Sequence, residues 1–206
     1  MPPGITFLPR PQECVWSRGA FDLSAGLVLS VDASALSALS VALAELAEDL
    51  RPFGVSLTWS AQSVAADAPL AITCGDASTL PAPDVPAHEE GYSLAVTPTA
   101  VGLAARSAHG LFDGLQTVRQ AITQSQRLLP SMSIRDWPSL GLRGIHLDLK
   151  GNMAPASYWE EAIRLLSQNK INAVLLEYED KFPFARHPEL VGPGAFTAAE
   201  LDGLLA

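Results

Sequence analysis

Residues 142–178, LRGIHLDLKGNMAPASYWEEAIRLLSQNKINAVLLEY, decide the fold class of the second half of the chain. The opening 142–149 (LRGIHLDL) reads as a strand. Residues 158–169 (YWEEAIRLLSQN) place Trp159, Ile163 and Leu166 on one helical face, and Ser157-x-x-Glu160 has the spacing of a capping box. Residues 171–178 (INAVLLEY) are a near-continuous apolar run, the pattern of a strand buried on both faces of a parallel sheet. Strand, helix, strand in this order predicts a β-α-β unit. A second capping box, Thr197-x-x-Glu200, opens a further helix bearing Leu201, Leu204 and Leu205.

Upstream, residues 1–136 predict an α+β domain. Short apolar or β-branched runs at 27–31, 55–59, 69–74, 91–97 and 100–105 are bounded by Pro, Gly, Asp or Ser and read as strands. The last two are separated by Pro98 and Thr99, the spacing of a hairpin. Leu36, Leu39, Leu43, Leu46 and Leu50 recur at three and four residues and predict a helix over 34–51, with Asp32 or Ser34 as its cap and Pro52 at its end. A second helix is expected over 108–126, capped by Ser107, with Leu111, Leu115, Val118 and Ile122 inward. Gly110 and Gly114 share one face of that helix; the expected reason is close packing on a sheet, since each glycine costs about 1 kcal/mol of helix propensity. Residues 130–143 read as a connection around a buried Trp137.

The composition narrows function. The chain has 206 residues, 48% of them apolar, so it can build a real core. Its 13 Lys and Arg stand against 22 Asp and Glu, a net charge of −9, which argues against nucleic acid as partner because such affinity comes from cations on phosphates. Cys14 and Cys74 have no metal-knuckle spacing and are expected to be buried small hydrophobes. No run reaches the roughly 20 apolar residues of a membrane helix, and MPPGITFLPRPQE has no signal-peptide pattern, so no membrane partner is expected. A cytoplasmic location follows if the N-terminus is complete.

Several short words then acquire a common meaning. They are Gly91-Tyr92-Ser93-Leu94; Gly110-Leu111-Phe112-x-Gly114-Leu115-Gln116-Thr117-x-Arg119-Gln120; Ile134-x-Asp136-Trp137-Pro138 followed by Arg143-Gly144; and Lys170-Ile171-Asn172. In this order they resemble the family 20 glycoside hydrolases, the β-N-acetylhexosaminidases. His146-Leu147-Asp148-Leu149-Lys150-Gly151 and Leu176-Glu177-Tyr178-Glu179-Asp180-Lys181-Phe182-Pro183 resemble the hexosaminidase D branch. The resemblance implies an N-terminal α+β domain over 1–136, an antiparallel-rich, zincin-like sheet with two helices on one face. Residues 137–206 would then start a truncated (β/α)8 TIM barrel, about two of its eight units.

The resemblance also implies a chemistry: removal of terminal β-linked N-acetylhexosamine with retention, the substrate's acetamido oxygen serving as nucleophile, with an Asp-Glu pair after the fourth barrel strand. No residue here matches that pair, so no catalytic residue is expected in this chain, nor any cofactor or metal. Functional groups of such barrels gather at the C-terminal strand ends, which makes Asp148, Lys150, Glu177, Glu179 and Asp180 the candidate substrate-binding residues and an N-acetylhexosamine glycan the expected partner. Gly151 stands where many members carry a sugar-gripping Arg, and Glu177 where many carry His.

Plainer readings stand beside these. Asp148 and Lys150 can pair with each other or with Glu177 as structure alone. A non-catalytic carbohydrate-binding or assembly module is the alternative function. His88-Glu89-Glu90 begins like a zinc-protease motif but lacks its second His, and reads as a solvated turn. Trp16, Trp59, Trp137 and Trp159 are expected in cores. An unclosed barrel would expose strand edges and an apolar inner face, favouring self-association.

Overall fold

The computed structural model describes residues 4–24, 26–31, 33–61, 70–74, 84–125, 127–151 and 153–205. The chain forms two compact units, Met1–Ser139 and Leu140–Ala206.

The first unit is a seven-stranded mixed sheet with two helices. Its strands are β1 (Glu13–Asp22), β2 (Leu27–Val31), β3 (Leu57–Ala61), β4 (Leu70–Cys74), β5 (Tyr92–Val96), β6 (Val101–Ala105) and β7 (Leu128–Asp136), in spatial order β1-β7-β5-β6-β4-β2-β3. The pairs along β1-β7-β5-β6 are antiparallel, and those along β6-β4-β2-β3 are parallel. The sheet is thus evenly mixed rather than antiparallel-rich. The parallel half follows from connections long enough to cross over, as the helix between β2 and β3 does.

Helix α1 (Ala33–Leu50) buries Leu39, Leu43, Leu46 and Leu50, as its spacing predicts. It begins one residue before Ser34, which excludes Ser34 as the cap; Asp32 lies outside the described residues. A 3-10 turn over Arg51–Phe53 ends it, with Gly54 at φ 71° and the Val55 N–H returning to the Leu50 carbonyl at 3.3 Å. Val55 is spent in this closure, so β3 starts at Leu57, two residues later than the pattern suggests.

Helix α2 (Ala108–Ser125) is capped as expected by Ser107, whose Oγ accepts the Gly110 N–H at 3.1 Å. The close-packing reading of its glycines holds. A Cβ on Gly110 would lie 2.6 Å from the Gly91 carbonyl oxygen, and one on Gly114 would collide with Leu103 Cδ1. The helix therefore sits directly on β5 and β6. Arg119 ties it to α1 through Asp49 at 2.5 Å. Gln120 exchanges two hydrogen bonds with the Leu8 backbone (2.8 and 2.6 Å) and Gln124 two with Thr6 (2.9 and 2.8 Å), so that one face of α2 holds the N-terminal segment as a neighbouring strand would.

Strands β1 and β7 are not marked by the sequence pattern, which predicts no strand over 13–22 and a connection over 130–143. β1 is an edge strand with an irregularity between Trp16 and Ala20, where Gly19 takes φ 103°, so its inward residues do not alternate. β7 carries Pro130 beside that irregularity, a position where a strand tolerates a missing N–H. Trp137, just beyond it, is half-buried. Trp16 stacks on Phe7 at 6.2 Å. Cys14 is half-buried rather than buried, and burial pushes its thiol pKa up; the side chain of Cys74 lies outside the described residues.

The second unit comprises β8 (Gly144–Asp148), α3 (Ala156–Gln168), β9 (Ala173–Glu177) and α4 (Ala198–Leu205), with β8 and β9 parallel and Asp148 opposite Glu177. The β-α-β prediction is met. Its core is Leu149, Phe196 and Leu201, with Leu147, Leu176, Tyr178 and Trp159 packed around them. The Ser157 capping box does not form: Pro155 is the N-cap, with no side-chain bond, and Ser157 falls inside the first turn. The Thr197 box does form, the Glu200 carboxylate accepting the Thr197 N–H at 2.7 Å and Thr197 Oγ1 accepting the Glu200 N–H at 3.2 Å. At the other end of α3 the Lys170 N–H reaches the Ser167 carbonyl and the Ile171 N–H that of Leu166, a Schellman closure with Lys170 at φ 62° where glycine is usual.

The words Arg143-Gly144 and Lys170-Ile171-Asn172 form a staple at the N-terminal ends of β8 and β9. Arg143 Nε donates to the Lys170 carbonyl at 2.7 Å, and the Asn172 side chain accepts the Arg143 N–H and donates to the Gly141 carbonyl, at 2.9 and 2.8 Å.

Candidate functional site

Alternation along two parallel strands sorts their side chains. Leu147 and Leu176 face the helices, which places His146, Asp148 and Glu177 on the opposite face. β9 is therefore buried on one face only, and Leu175 is 64% exposed. The open face, expected to be apolar, is mixed: His146, Asp148 and Glu177 share it with Gly144, Ala173 and Leu175.

Lys150, just past β8, organises these groups. Its ammonium lies 3.1 Å from Asp148 Oδ2, 3.2 Å from Glu179 Oε1 and 3.8 Å from Glu177 Oε1. Hydrogen bonds donated by the ammonium to Asp148 and then to Glu179, with their negative charges, hold the Lys150 pKa above its ordinary value. His146, which the sequence reading omitted, completes the set, with Nε2 at 2.8 Å from Glu177 Oε2. Strand parity carries the signal for it, since His146 and Asp148 are two apart within 144–148. All these side chains are about half exposed.

Of the five candidates, four meet and one does not. Asp180 instead pairs with Lys181 Nζ at 3.0 Å. Lys181 is buried and also donates to the Pro193 carbonyl at 3.1 Å, fastening the turn after β9 to the segment that leads into α4. The Asp180 carboxylate occupies the space a Cβ on Gly192 would need. Glu179 is brought to Lys150 by an unusual backbone, φ 45°. Gly151 takes φ 69°, a left-handed conformation that glycine adopts without a Cβ penalty.

Beside Lys150, a groove of about 640 Å³ is lined by Gly151, Met153, Pro155, Pro193, Phe196 and Glu200. Its walls are small or apolar, and Glu200 is committed to its cap, which lowers its pKa through the Thr197 backbone and hydroxyl. The cluster offers carboxylate acceptors and one ammonium donor at hydroxyl-binding spacing. All three of its carboxyls are open to water. Among the described residues no three His, Cys, Asp or Glu are grouped to hold a metal ion. His88 forms a turn, its Nδ1 accepting the Glu90 N–H at 3.1 Å. No helix among the described residues is long and apolar enough to cross a membrane.

In the first unit the shared words are structural. Tyr92 donates to Asp136 Oδ2 at 2.9 Å and lies 2.5 Å from Thr117 Oγ1, inside the core. Asp136 Oδ1 accepts the Gln12 N–H at 3.1 Å, and Gln12 Nε2 reaches the Trp137 carbonyl and Ser139 Oγ.

Comparison with known proteins agrees. The family model described as glycosyl hydrolase family 20, domain 2, matches residues 5–137. A β-N-acetylhexosaminidase of Cellulomonas fimi is 27% identical over 183 residues, covering 86% of this chain and 35% of that protein. Hexosaminidase D of Bos taurus is 35% identical over 65 residues, 31% of this chain and 19% of that protein. The solved chitobiase of Flavobacterium johnsoniae superposes with a TM-score of 0.73 at 21% identity, over 97% of this chain and 32% of that one. The chain thus spans about a third or less of the length of these relatives. With a family model matching well over half of its residues, it belongs to glycosyl hydrolase family 20, residues 5–137 forming that family's domain 2.

Proposed function

We propose that this chain is the N-terminal portion of a β-N-acetylhexosaminidase, with a likeness to the hexosaminidase D branch in its second unit, and that residues 137–206 supply the first strands of a (β/α)8 catalytic barrel. The observation that carries this is a family 20 domain 2 followed by a parallel β-α-β unit whose C-terminal strand ends gather Asp148, Lys150, Glu177 and Glu179 around one ammonium. In the whole enzyme these groups form part of the wall that orients sugar hydroxyls, while Asp180 acts through its pairing with Lys181. The Asp-Glu pair that performs substrate-assisted cleavage in the family has no match among these residues, so the 206-residue chain alone is inactive on chromogenic N-acetylhexosaminides.

Calorimetric titration with N-acetylglucosamine and N-acetylgalactosamine tests the reading. Saturable millimolar binding that weakens in Lys150→Met and Glu179→Gln supports it. The absence of saturation leaves the Lys150 cluster a structural ion-pair network. Turnover abolished by Glu179→Gln would contradict the inactive assignment.

A further inference from the structure

We propose that residues 137–142, the passage from the first unit to the second, form a stiff strut rather than a tether, and that Gln12 is the positioning residue that stiffens it. The boundary between the units falls inside this segment, between Ser139 and Leu140. Its sequence, Trp-Pro-Ser-Leu-Gly-Leu, has the proline, serine and glycine of an ordinary linker, and Leu140 and Leu142 are 67% and 73% exposed. Burial cannot hold that second half, so hydrogen bonds must.

On the side of the first unit, the β1–β7 pairing reaches its end at Glu13 and Arg135, where Arg135 Nη1 donates to both Glu13 carboxylate oxygens at 3.0 Å. Gln12 carries the grip onward along the exit. Its N–H donates to Asp136 Oδ1 at 3.1 Å, and its Nε2 donates to the Trp137 carbonyl at 3.2 Å and to Ser139 Oγ at 2.8 Å. A carbonyl only accepts, so the Trp137 contact fixes which end of the Gln12 amide faces the strut. Asp136 is anchored in the core in turn, because its other oxygen accepts the Tyr92 phenol at 2.9 Å. Pro138 adds a fixed φ and confines Trp137 before it to extended backbone.

On the side of the second unit, the anchors follow without a break. Arg143 Nη1 donates to the Leu140 carbonyl at 2.9 Å, Asn172 Nδ2 donates to the Gly141 carbonyl at 2.8 Å, and the Arg143 N–H returns to Asn172 Oδ1 at 2.9 Å. Each set of bonds lies within its own unit. Together they grip residues 136, 137, 139, 140, 141 and 143, so no two successive residues of the passage are left without one. A chain held at this spacing lacks the backbone freedom that lets a linker swing. The strut thus makes the first unit a fixed support for the second, whereas a module on a tether leaves such a passage free. The inference stands apart from the sugar-binding reading of the strand ends.

Thermolysin, which cleaves before accessible leucines, tests it at the Ser139–Leu140 and Gly141–Leu142 bonds, with the cuts located by mass. In the folded 206-residue chain both bonds are expected to resist. Gln12→Glu keeps the size of the side chain but removes the donor to the Trp137 carbonyl, and is expected to speed cleavage there about tenfold. Gly114→Ala, which crowds Leu103 in the core of the first unit, is the control and is expected to leave those bonds slow. Heteronuclear 15N NOE values at Ser139, Leu140 and Gly141 read the strut in the unaltered chain, independently of whether a variant folds, and are expected to match those of β5 and β9. Low NOE values there, rapid cleavage of the unaltered chain, an unchanged rate in Gln12→Glu, or an equal acceleration in Gly114→Ala would overturn the strut.

Discussion

Tyr92 and Asp136 meet inside the core of the first unit, the phenol donating to Asp136 Oδ2 across 2.9 Å from neighbouring antiparallel strands. Burial, then the Asp136 charge, pushes the phenol pKa well above its ordinary 10.0. A folded value raised above the unfolded one means that the native state holds its proton longer, so this contribution is complete below pH 10 and is lost as pH rises further. Thermal unfolding from pH 8 upward is predicted to show a steep loss of Tm beyond pH 10, and Tyr92→Phe to flatten it. At neutral pH the same substitution costs about 1–3 kcal/mol, because Asp136 and Thr117 lose a buried partner. An unchanged alkaline slope would show that another group governs it.

Gly114→Ala sets two magnitudes against each other. Alanine gains about 1 kcal/mol of helix propensity, but its Cβ meets Leu103 and the Tyr92 ring, and overpacking costs about 1–3 kcal/mol. Net destabilisation in urea melts is expected. Stabilisation would mean that α2 can lift from the sheet.

Lys181→Met removes the fastening of the loop after β9. Its partner Asp180 is half exposed and can turn to water, so the loss is set mainly by the stranded Pro193 carbonyl, about 1–3 kcal/mol. Hydrogen exchange should quicken at the Gly192 and Phe196 amides, which bond Asp180 and Lys181. Unaltered protection there would place the anchor elsewhere.

The second unit rests on a much smaller core, Leu149, Phe196 and Leu201, against the large cluster of the first. Amides of β8 and β9 are predicted to exchange faster than those of β5 and β7. Leu175, Leu165 and the strand edges also favour self-association, tempered by the charges around Lys150. Sedimentation at rising concentration measures it, and a strictly monomeric chain with equal protection in both units would contradict this expectation.

Legibility in the sequence followed physical signal strength. The leucine spacing of α1, the glycine pair of α2 and the β-α-β order were readable because each places apolar groups at a fixed period. β1 and β7 were not, since a bulge at Gly19 and a proline beside it break the alternation that marks a strand. The Ser157 box failed because Pro155 already starts α3. Four candidate site residues meet at the strand ends, but Asp180 turned away because a buried lysine lay next in sequence, and His146 was missed although the period of two places it with Asp148.

The most direct test of the central claim, that the ends of β8 and β9 form a wall for N-acetylhexosamine, is a backbone amide shift titration of the 206-residue chain with N-acetylglucosamine. The account predicts saturable shifts concentrated at residues 148–151 and 177–182, lost in Lys150→Met. Shifts spread evenly over the surface, or absent from those residues at saturating sugar, would contradict it.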